Sequence, residues 1–226
     1  MIKSPIVKPA SDRTILVQFG SGISEDIRTH VLFYSKAFVR SLNSIINDIS
    51  PGYTSILVRL KKEIPISKGL VEINKLLKSH TEINISNPKT VKIPVCYDEE
   101  FSPDMKRVIK HTGYSSCEII KRHLSGDYVV YFIGFSPGFP YIGGMDQALE
   151  TPRLESPRFA VPAGAVAIGG KQTGIYPIES PGGWNIIGRT HLPLFKWSTL
   201  GSSPIKIGNR IEFHAVSKNK LLSLNK

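Results

Sequence analysis

Two segments of the chain concentrate residue types that could do chemistry. The first is Phe132–Gly144, FIGFSPGFPYIGG. Ser136-Pro137-Gly138 suits a tight turn, because proline fixes the first corner of a type II bend and glycine supplies the second. Phe135, Phe139 and Tyr141 cluster around that turn. Such a bend either fills a buried hairpin corner or presents backbone N–H groups and aromatic faces to a ligand. The second segment is Val161–Arg189, VPAGAVAIGGKQTGIYPIESPGGWNIIGR. Gly169, Gly170 and Gly174 flank Lys171 and Gln172, Tyr176 follows, and Pro181-Gly182-Gly183 turns the chain before Trp184. Glycines beside a lysine invite comparison with a phosphate loop. However, the G-x-x-x-x-G-K-[ST] spacing is absent and no helix can follow before Pro177, which excludes that kind of nucleotide loop. Arg189 brings a forked donor suited to a carboxylate or phosphate, and Arg153 and Arg158 of TPRLESPR are further candidates to hold an anion.

Other familiar catalytic sets are missing. The chain contains no G-x-S-x-G and no H-E-x-x-H. Cys96 and Cys117 form no C-x-x-C and lie near no pair of histidines, so neither a disulfide framework nor a zinc site is expected. His123 stands at an expected helix end just before the Gly-rich region, where a structural role and a general acid–base role are both open to it. Asp127, Glu150, Glu155 and Glu179 are candidate acids, but spacing does not pair them.

The elements that must position these residues fall into two textures. In residues 1–95, Arg13–Phe19 and Tyr53–Leu60 have the β-branched, apolar character of strands. Between them Ile27, Val31, Tyr34, Phe38, Leu42, Ile45 and Ile49 draw one apolar stripe at helical spacing, N-capped by Ser24 and ended by Pro51-Gly52. A second helix is expected over about Lys68–Ser79 and a returning strand over Val91–Val95. This order predicts a small α/β domain, ferredoxin-like in style, with helices on one face of a sheet. Residues 96–126 read as a helical connector. Ser102-Pro103 opens one helix and Gly113 closes it; Ser115 and Glu118 form a capping box for the next. From residue 127 onward the chain changes character. Residues 134–188 contain 11 glycines and 7 prolines, a density no helix survives. Short strands at Tyr128–Phe135, Ala165–Ile168, Ile186–Ile187 and Ile211–Ala215 predict an all-β sandwich or barrel over 127–226. The fold class is therefore α+β.

The 226 residues are 41% apolar and 21% charged, ordinary for a globular chain. No apolar run reaches the roughly 18–20 residues that cross a bilayer, and the N-terminus lacks the apolar core of a signal peptide. A cytoplasmic protein with no membrane partner is expected. The net charge is +11, but 13 basic and 7 acidic residues fall in 1–90 and 16 and 11 in 91–226. With no basic tail or long cluster, nucleic acid is not an expected partner; a small anion or an acidic partner accounts for the charge equally well.

Taken together, SDRTILVQFG, PGYTSILV, the His123-to-Tyr128 approach to YFIGFSPGFPYIGG, TPRLESPR, VPAGAVAIGGKQTGIYPIESPGGWNIIGRT and LPLF resemble one family along almost the whole chain. It is the family of the B subunit of bacterial 5-oxoprolinase, also called allophanate hydrolase subunit 1. The family includes KipI-type inhibitors of a histidine kinase and is similar to the first half of the carboxyltransferase domain of biotin-dependent urea carboxylases. The match departs at Lys196, where the family usually has an aspartate, and at Lys61-Lys62, where an Asp-Pro is usual. The resemblance implies a C-terminal cyclophilin-like β-barrel and a hetero-oligomeric hydrolase in which this chain works with a sister C subunit and a separate A subunit. It implies ATP as co-substrate and a lactam or amide as substrate. On this chain, Phe135, Ser136, Gly138, Phe139 and Tyr141 would form one wall of a pocket at a mouth of the barrel. Gly169, Gly170, Lys171, Gln172 and Tyr176 would form the other, with Trp184 beside them. Gln172 and the amides near Gly169-Gly170 would polarise a carbonyl, Arg158 or Arg189 would hold an anionic end, and His123 would serve as acid–base if it reaches the pocket. A kinase-binding regulatory module and half of a carboxyltransferase are the alternative readings.

Overall fold

The computed structural model describes residues 4–22, 24–79, 88–195 and 203–223. The chain divides into two compact units, residues 1–87 and 88–226.

The first unit comprises β1 (Ile6–Pro9), β2 (Thr14–Gln18), α1 (Glu25–Ser41), β3 (Ile46–Pro51), β4 (Ser55–Leu60) and α2 (Ile66–Ser79). Its sheet runs β1-β2-β4-β3 and every pairing is antiparallel. Because β4 lies between β2 and β3, β2-α1-β3 is a split β-α-β unit. One sheet face is buried: Ile15, Val17, Ile56, Val58 and Leu60 pack with Val31, Tyr34, Phe38, Ile73 and Leu76 of the helices. Ser24 caps α1, its hydroxyl accepting from the Ile27 N–H at 3.3 Å. The helix stops at Ser41 rather than at Pro51, and Ile46–Pro51 is a strand. Ile45 and Ile49 keep helical spacing, but Asn43-Ser44 are weak helix formers, and both Ile45 and Ile46 are buried. Pro51 fits because β3 is an edge strand, where a missing N–H removes no ladder bond.

The second unit comprises β5 (Thr90–Val95), α3 (Met105–Thr112), α4 (Ser116–Leu124), β6 (Tyr128–Ile133), β7 (Pro140–Gly143), β8 (Arg158–Val161), β9 (Ala165–Gly169), β10 (Gln172–Ile175), β11 (Ser180–Gly182), β12 (Asn185–Arg189), β13 (Arg210–Ala215) and α5 (Lys218–Ser223). Seven strands form one sheet in the order β12-β9-β10-β7-β6-β13-β5. Only β13 and β5 pair in parallel; Ile211 lies opposite Val91 and Phe213 opposite Ile93. The sheet nearly closes on itself. The Cys96 N–H donates to the Arg189 carbonyl and the Arg189 N–H to the Cys96 carbonyl, each at 2.9 Å, joining the ends of β5 and β12. This near-closed barrel fits the cyclophilin-like expectation. Val91–Val95 therefore belongs to the barrel, not to the N-terminal sheet, and the division falls at 87/88 rather than at 95/96. The helices of 96–126 are likewise part of the second unit, since Met105, Val108 and Ile119 share a core with the barrel strands.

Side chains alternate along the barrel strands. Val130, Ile142, Val166, Ile168, Ile175, Ile187 and Phe213 point into the main core. Their neighbours Tyr141, Ala165, Ala167, Tyr176 and Ile186 point to the other face, where Phe139, Val161 and Trp184 cover them. β8 and β11 form a separate two-stranded ribbon, and Val161 of β8 joins that outer cluster. No helix of the described residues is long and apolar enough to cross a membrane.

Candidate functional site

The outer face of the barrel carries a cavity of about 310 Å³. Its walls are aromatic: Phe135, Phe139, Tyr141, Tyr176 and Trp184, with Arg153 at the edge. The Phe-rich bend supplies one wall. The Phe139 N–H donates to the Ser136 carbonyl at 3.0 Å and Gly138 has φ +85°, the geometry of a type II turn. Phe139 is 1% exposed and is the hub of the cluster. It meets Tyr176 at 5.1 Å, Trp184 at 5.5 Å and Phe135 at 5.6 Å, all edge to face. Phe135 sits at the rim, 64% exposed, and alone among the described non-glycine residues has positive φ, +68°.

The floor depends on two glycines. A Cβ at Gly169 would lie 2.4 Å from the Trp184 ring, and one at Gly174 would lie 2.9 Å from Phe139 and 3.0 Å from Trp184. Their bare backbone lets the indole lie against β9 and β10. Arg153 is held over the indole, its guanidinium carbon 5.6 Å from the ring centroid. The strap bearing it is pinned along its length, Arg107 Nη2 donating to the Pro152 and Arg153 carbonyls at 3.3 Å. Thr151 and Gly170 exchange backbone bonds, the Asn185 side chain donates to the Pro152 carbonyl at 2.9 Å, and the Leu154 N–H donates to the Gly183 carbonyl at 2.7 Å. Asn185 is fully buried; it also donates to the Ile168 carbonyl and accepts from Arg107 Nε at 2.9 Å. Burial pushes the Tyr141 and Tyr176 hydroxyls above the ordinary phenol pKa, opposed at Tyr141 by Arg153 and at Tyr176 first by a hydrogen bond from the Trp184 backbone and then by Arg153. Both stay neutral at physiological pH and can donate to a ligand oxygen. No histidine, cysteine or carboxylate among the described residues lines the cavity. Its lining offers one cation and two neutral hydroxyls and, among the described residues, no base.

Phe135, Phe139, Tyr141, Tyr176 and Trp184 thus converge, on the outside of the barrel rather than at its mouth. The other expected site residues go elsewhere. Gly138 packs its turn on Phe195, and the Ser136 hydroxyl is buried without a partner among the described residues. Gly170 and Lys171 form the tip of the β9–β10 hairpin, and the Gly170 N–H is committed to the Thr151 carbonyl at 2.8 Å, so it is not free to polarise a substrate. Gln172 pairs with Gly169 on the cavity face of β10 but does not line the cavity. Arg158 and Arg189 line a different cleft. Arg158 is drawn there by Asp104, a 6%-exposed carboxylate 2.5 Å from Arg158 Nη2 that also accepts from the Ile186 N–H. Asp104 precedes α3 but caps none of its amides, because its oxygens are taken by Arg158 and the Ile186 N–H; the Ser102 hydroxyl, expected as the cap, instead donates to the Tyr97 and Asp98 carbonyls. Lys196 lies outside the described residues.

His123 does not reach the cavity. It is fully buried in the barrel core, with Nδ1 2.8 Å from the Tyr97 hydroxyl and Nε2 3.0 Å from Thr173 Oγ1. The Thr173 hydroxyl donates to the Ala167 carbonyl at 3.1 Å, so it must accept from Nε2–H. Nδ1 is then the acceptor for Tyr97. Burial pushes this neutral imidazole's pKa down to about 3. Among the described residues, no cluster of His, Cys, Asp or Glu could hold a metal ion.

The cavity sits on a barrel whose family can be stated from comparison with known proteins. The chain belongs to the family described as carboxyltransferase domain, subdomain C and D, whose model matches residues 5–204. It is 34% identical to the B subunit of 5-oxoprolinase from Bacillus subtilis (strain 168), over 94% of this chain and 93% of that relative. It is 44% identical to the corresponding 5-oxoprolinase subunit of Escherichia coli O157:H7, over 64% of this chain and 66% of the relative. Among solved structures, TTHA0988 superposes with a TM-score of 0.80 at 32% identity, covering 92% of this chain and 40% of that one. The chain therefore spans about two fifths of that protein's length. The Kluyveromyces lactis urea carboxylase shares the fold, with a TM-score of 0.73 at 20% identity over 97% of this chain and 22% of that one.

Proposed function

We propose that this chain is the lactam-holding subunit of an ATP-dependent 5-oxoprolinase, and that the aromatic cavity takes the 5-oxoproline ring. The observation that carries the reading is a cavity of small-ligand size with one guanidinium and two neutral phenols, in a chain similar along its length to the B subunit of a 5-oxoprolinase. The flat lactam lies among Tyr176, Trp184 and Phe139. Arg153 pairs with its carboxylate, and a Tyr141 or Tyr176 hydroxyl donates to its carbonyl oxygen. A lactam is a poor electrophile, which is why ATP is needed. The carbonyl oxygen attacks the γ-phosphorus and ADP leaves. Water adds to the activated carbon, the ring nitrogen is expelled as the amine, and a second water hydrolyses the acyl phosphate to give glutamate and phosphate. No base among the described residues lines the cavity, which supports assigning the proton-moving groups to a sister C subunit and a separate A subunit.

The test is the reconstituted three-subunit complex, assayed for 5-oxoproline-dependent ATP hydrolysis. Arg153→Ala removes a charge-assisted contact, so KM for 5-oxoproline rises by about tenfold or more. Absence of turnover in the complete complex overturns the enzymatic reading; unchanged KM in both Arg153→Ala and Tyr176→Phe overturns the assignment of the cavity. The lack of a base among the described lining residues also supports a second reading, a module that binds and inhibits a histidine kinase. Tight kinase binding together with no turnover selects it.

A further inference from the structure

At the barrel seam, apart from the aromatic cavity, two arginines line a cleft of about 200 Å³. Arg158 comes from β8 and Arg189 from the end of β12. Each guanidinium is held by one partner and has donors to spare. Arg158 Nη2 is bound to Asp104 Oδ1 at 2.5 Å, while its Nη1 is buried and has no partner among the described residues. Asp104 cannot turn to serve Nη1, because its other oxygen accepts from the Ile186 N–H at 2.7 Å. Arg189 uses Nε on the Ala163 carbonyl at 3.2 Å, and no carboxylate among the described residues pairs with it. Glu100 is the one carboxylate among the described residues that lines the cleft, and it is paired with Lys218. The remaining lining is mostly apolar, with Phe101, Pro103, Ala160, Pro162 and Ile186 its larger members. A buried guanidinium N–H without an acceptor is unfavourable, and a planar fork is matched by two oxygens on one atom.

We propose that this seam cleft is an oxyanion site, taking the carboxylate or phosphate group of a small ligand between the Arg158 and Arg189 guanidinium groups. The apolar lining accepts the ligand's carbon body, and the residual positive charge selects against cations. The site stands independently of the lactam reading, because it shares no lining residue with the aromatic cavity.

The experiment is NMR titration of the intact chain with inorganic phosphate and, separately, with acetate, at ionic strength held constant by sodium chloride. Saturable shifts are expected at the Arg158 and Arg189 Nε–H signals and at the Ile186 and Gly188 amides. Arg189→Gln weakens binding by about tenfold or more. Arg158→Lys does the same, since lysine keeps the charge beside Asp104 and loses the second N–H. Lys121→Gln removes an exposed charge on α4 and leaves binding intact. Tighter binding of phosphate assigns the group to a phosphate ester or nucleotide; acetate binding as tightly or more tightly assigns a carboxylate. Three results overturn the proposal: no saturable shift with either anion, binding that persists in both arginine variants, or equal weakening by Lys121→Gln, which marks diffuse charge attraction.

Discussion

Between about pH 7.5 and about pH 5, acid should destabilise this fold through His123. Enclosed between Tyr97 and Thr173, the imidazole is held neutral, with its pKa down at about 3. In the unfolded chain it titrates near 6.5. Below that value the unfolded state binds a proton that the folded state refuses, so stability falls as pH drops from about 6.5 toward about 3. Each pH unit in that window is worth about 1.4 kcal/mol. From about pH 7.5 to about pH 5, before most carboxylates titrate, the loss comes to about 2 kcal/mol. The assay is urea unfolding followed by tryptophan fluorescence, which reports the second unit because Trp184 and Trp197 both lie beyond residue 88. His123→Gln cannot protonate. It should be less stable at neutral pH, by about 1–3 kcal/mol for the hydrogen bonds it disturbs, and should lose about 2 kcal/mol less on acidification than the wild type. An equal loss in the variant would refute the reasoning. So would ring nitrogen shifts showing an imidazolium in the folded protein at about pH 5.

Two further substitutions and one chemical probe test the site. Gly169→Ala places a methyl carbon against the Trp184 ring, so the indole must leave β9; a red-shifted emission and a loss of about 1–3 kcal/mol are expected, and an unchanged spectrum contradicts the packing. Cys96 is buried at the seam with its thiol pKa raised by burial, whereas Cys117 is exposed. One thiol should react rapidly with an aromatic disulfide in the native protein and the second only on unfolding. Phe135 occupies the left-handed region while 64% exposed, an arrangement that costs about 1–3 kcal/mol. Phe135→Gly relieves that strain but frees the unfolded chain by about 0.4–1 kcal/mol, so stability should hold or rise slightly. Affinity for 5-oxoproline should fall. A large loss of stability with unchanged affinity assigns the ring to packing instead.

The sequence made some of this molecule readable and hid the rest for identifiable reasons. Ser24 and Ser115 marked the starts of α1 and α4 because a cap is a local bond, and each hydroxyl accepts from the amide three residues on. The type II turn at Pro137-Gly138 was equally local. By contrast, β3 was hidden because Ile45 and Ile49 continue the helical stripe, and only the pairing with β4 settles their conformation. The capture of Thr90–Val95 by β13 joins strands some 120 residues apart, which no local pattern encodes. Within the site, the aromatic and glycine residues of both motifs were legible as a set, but not which strand face each would occupy. The choice of Arg153 over Arg158 for the cavity was decided by Asp104, a residue far away in sequence that claims Arg158. Likewise, His123 carried no sign of burial, because Tyr97 and Thr173 reach it from other elements.

The glycine density of 134–188 has a physical explanation that differs from its first appearance. A loop-rich, Gly-rich stretch usually signals flexibility. Here Gly169 and Gly174 lie inside paired strands, where their missing side chains admit Phe139 and Trp184 against the sheet. The barrel interior is filled mainly by aliphatic and aromatic side chains around the His123–Thr173 pair, and the outer face carries the aromatic cavity. The lactam proposed for that face would be gripped by rings and by Arg153 from the barrel side and stay open on the other, toward exposed Phe135. No described group able to take or give a proton near neutral pH lines the cavity; on the proposed reading the reacting groups reach the ligand from the open side. On the reading proposed above, this chain orients the lactam and the partner subunits bring the reacting groups to it.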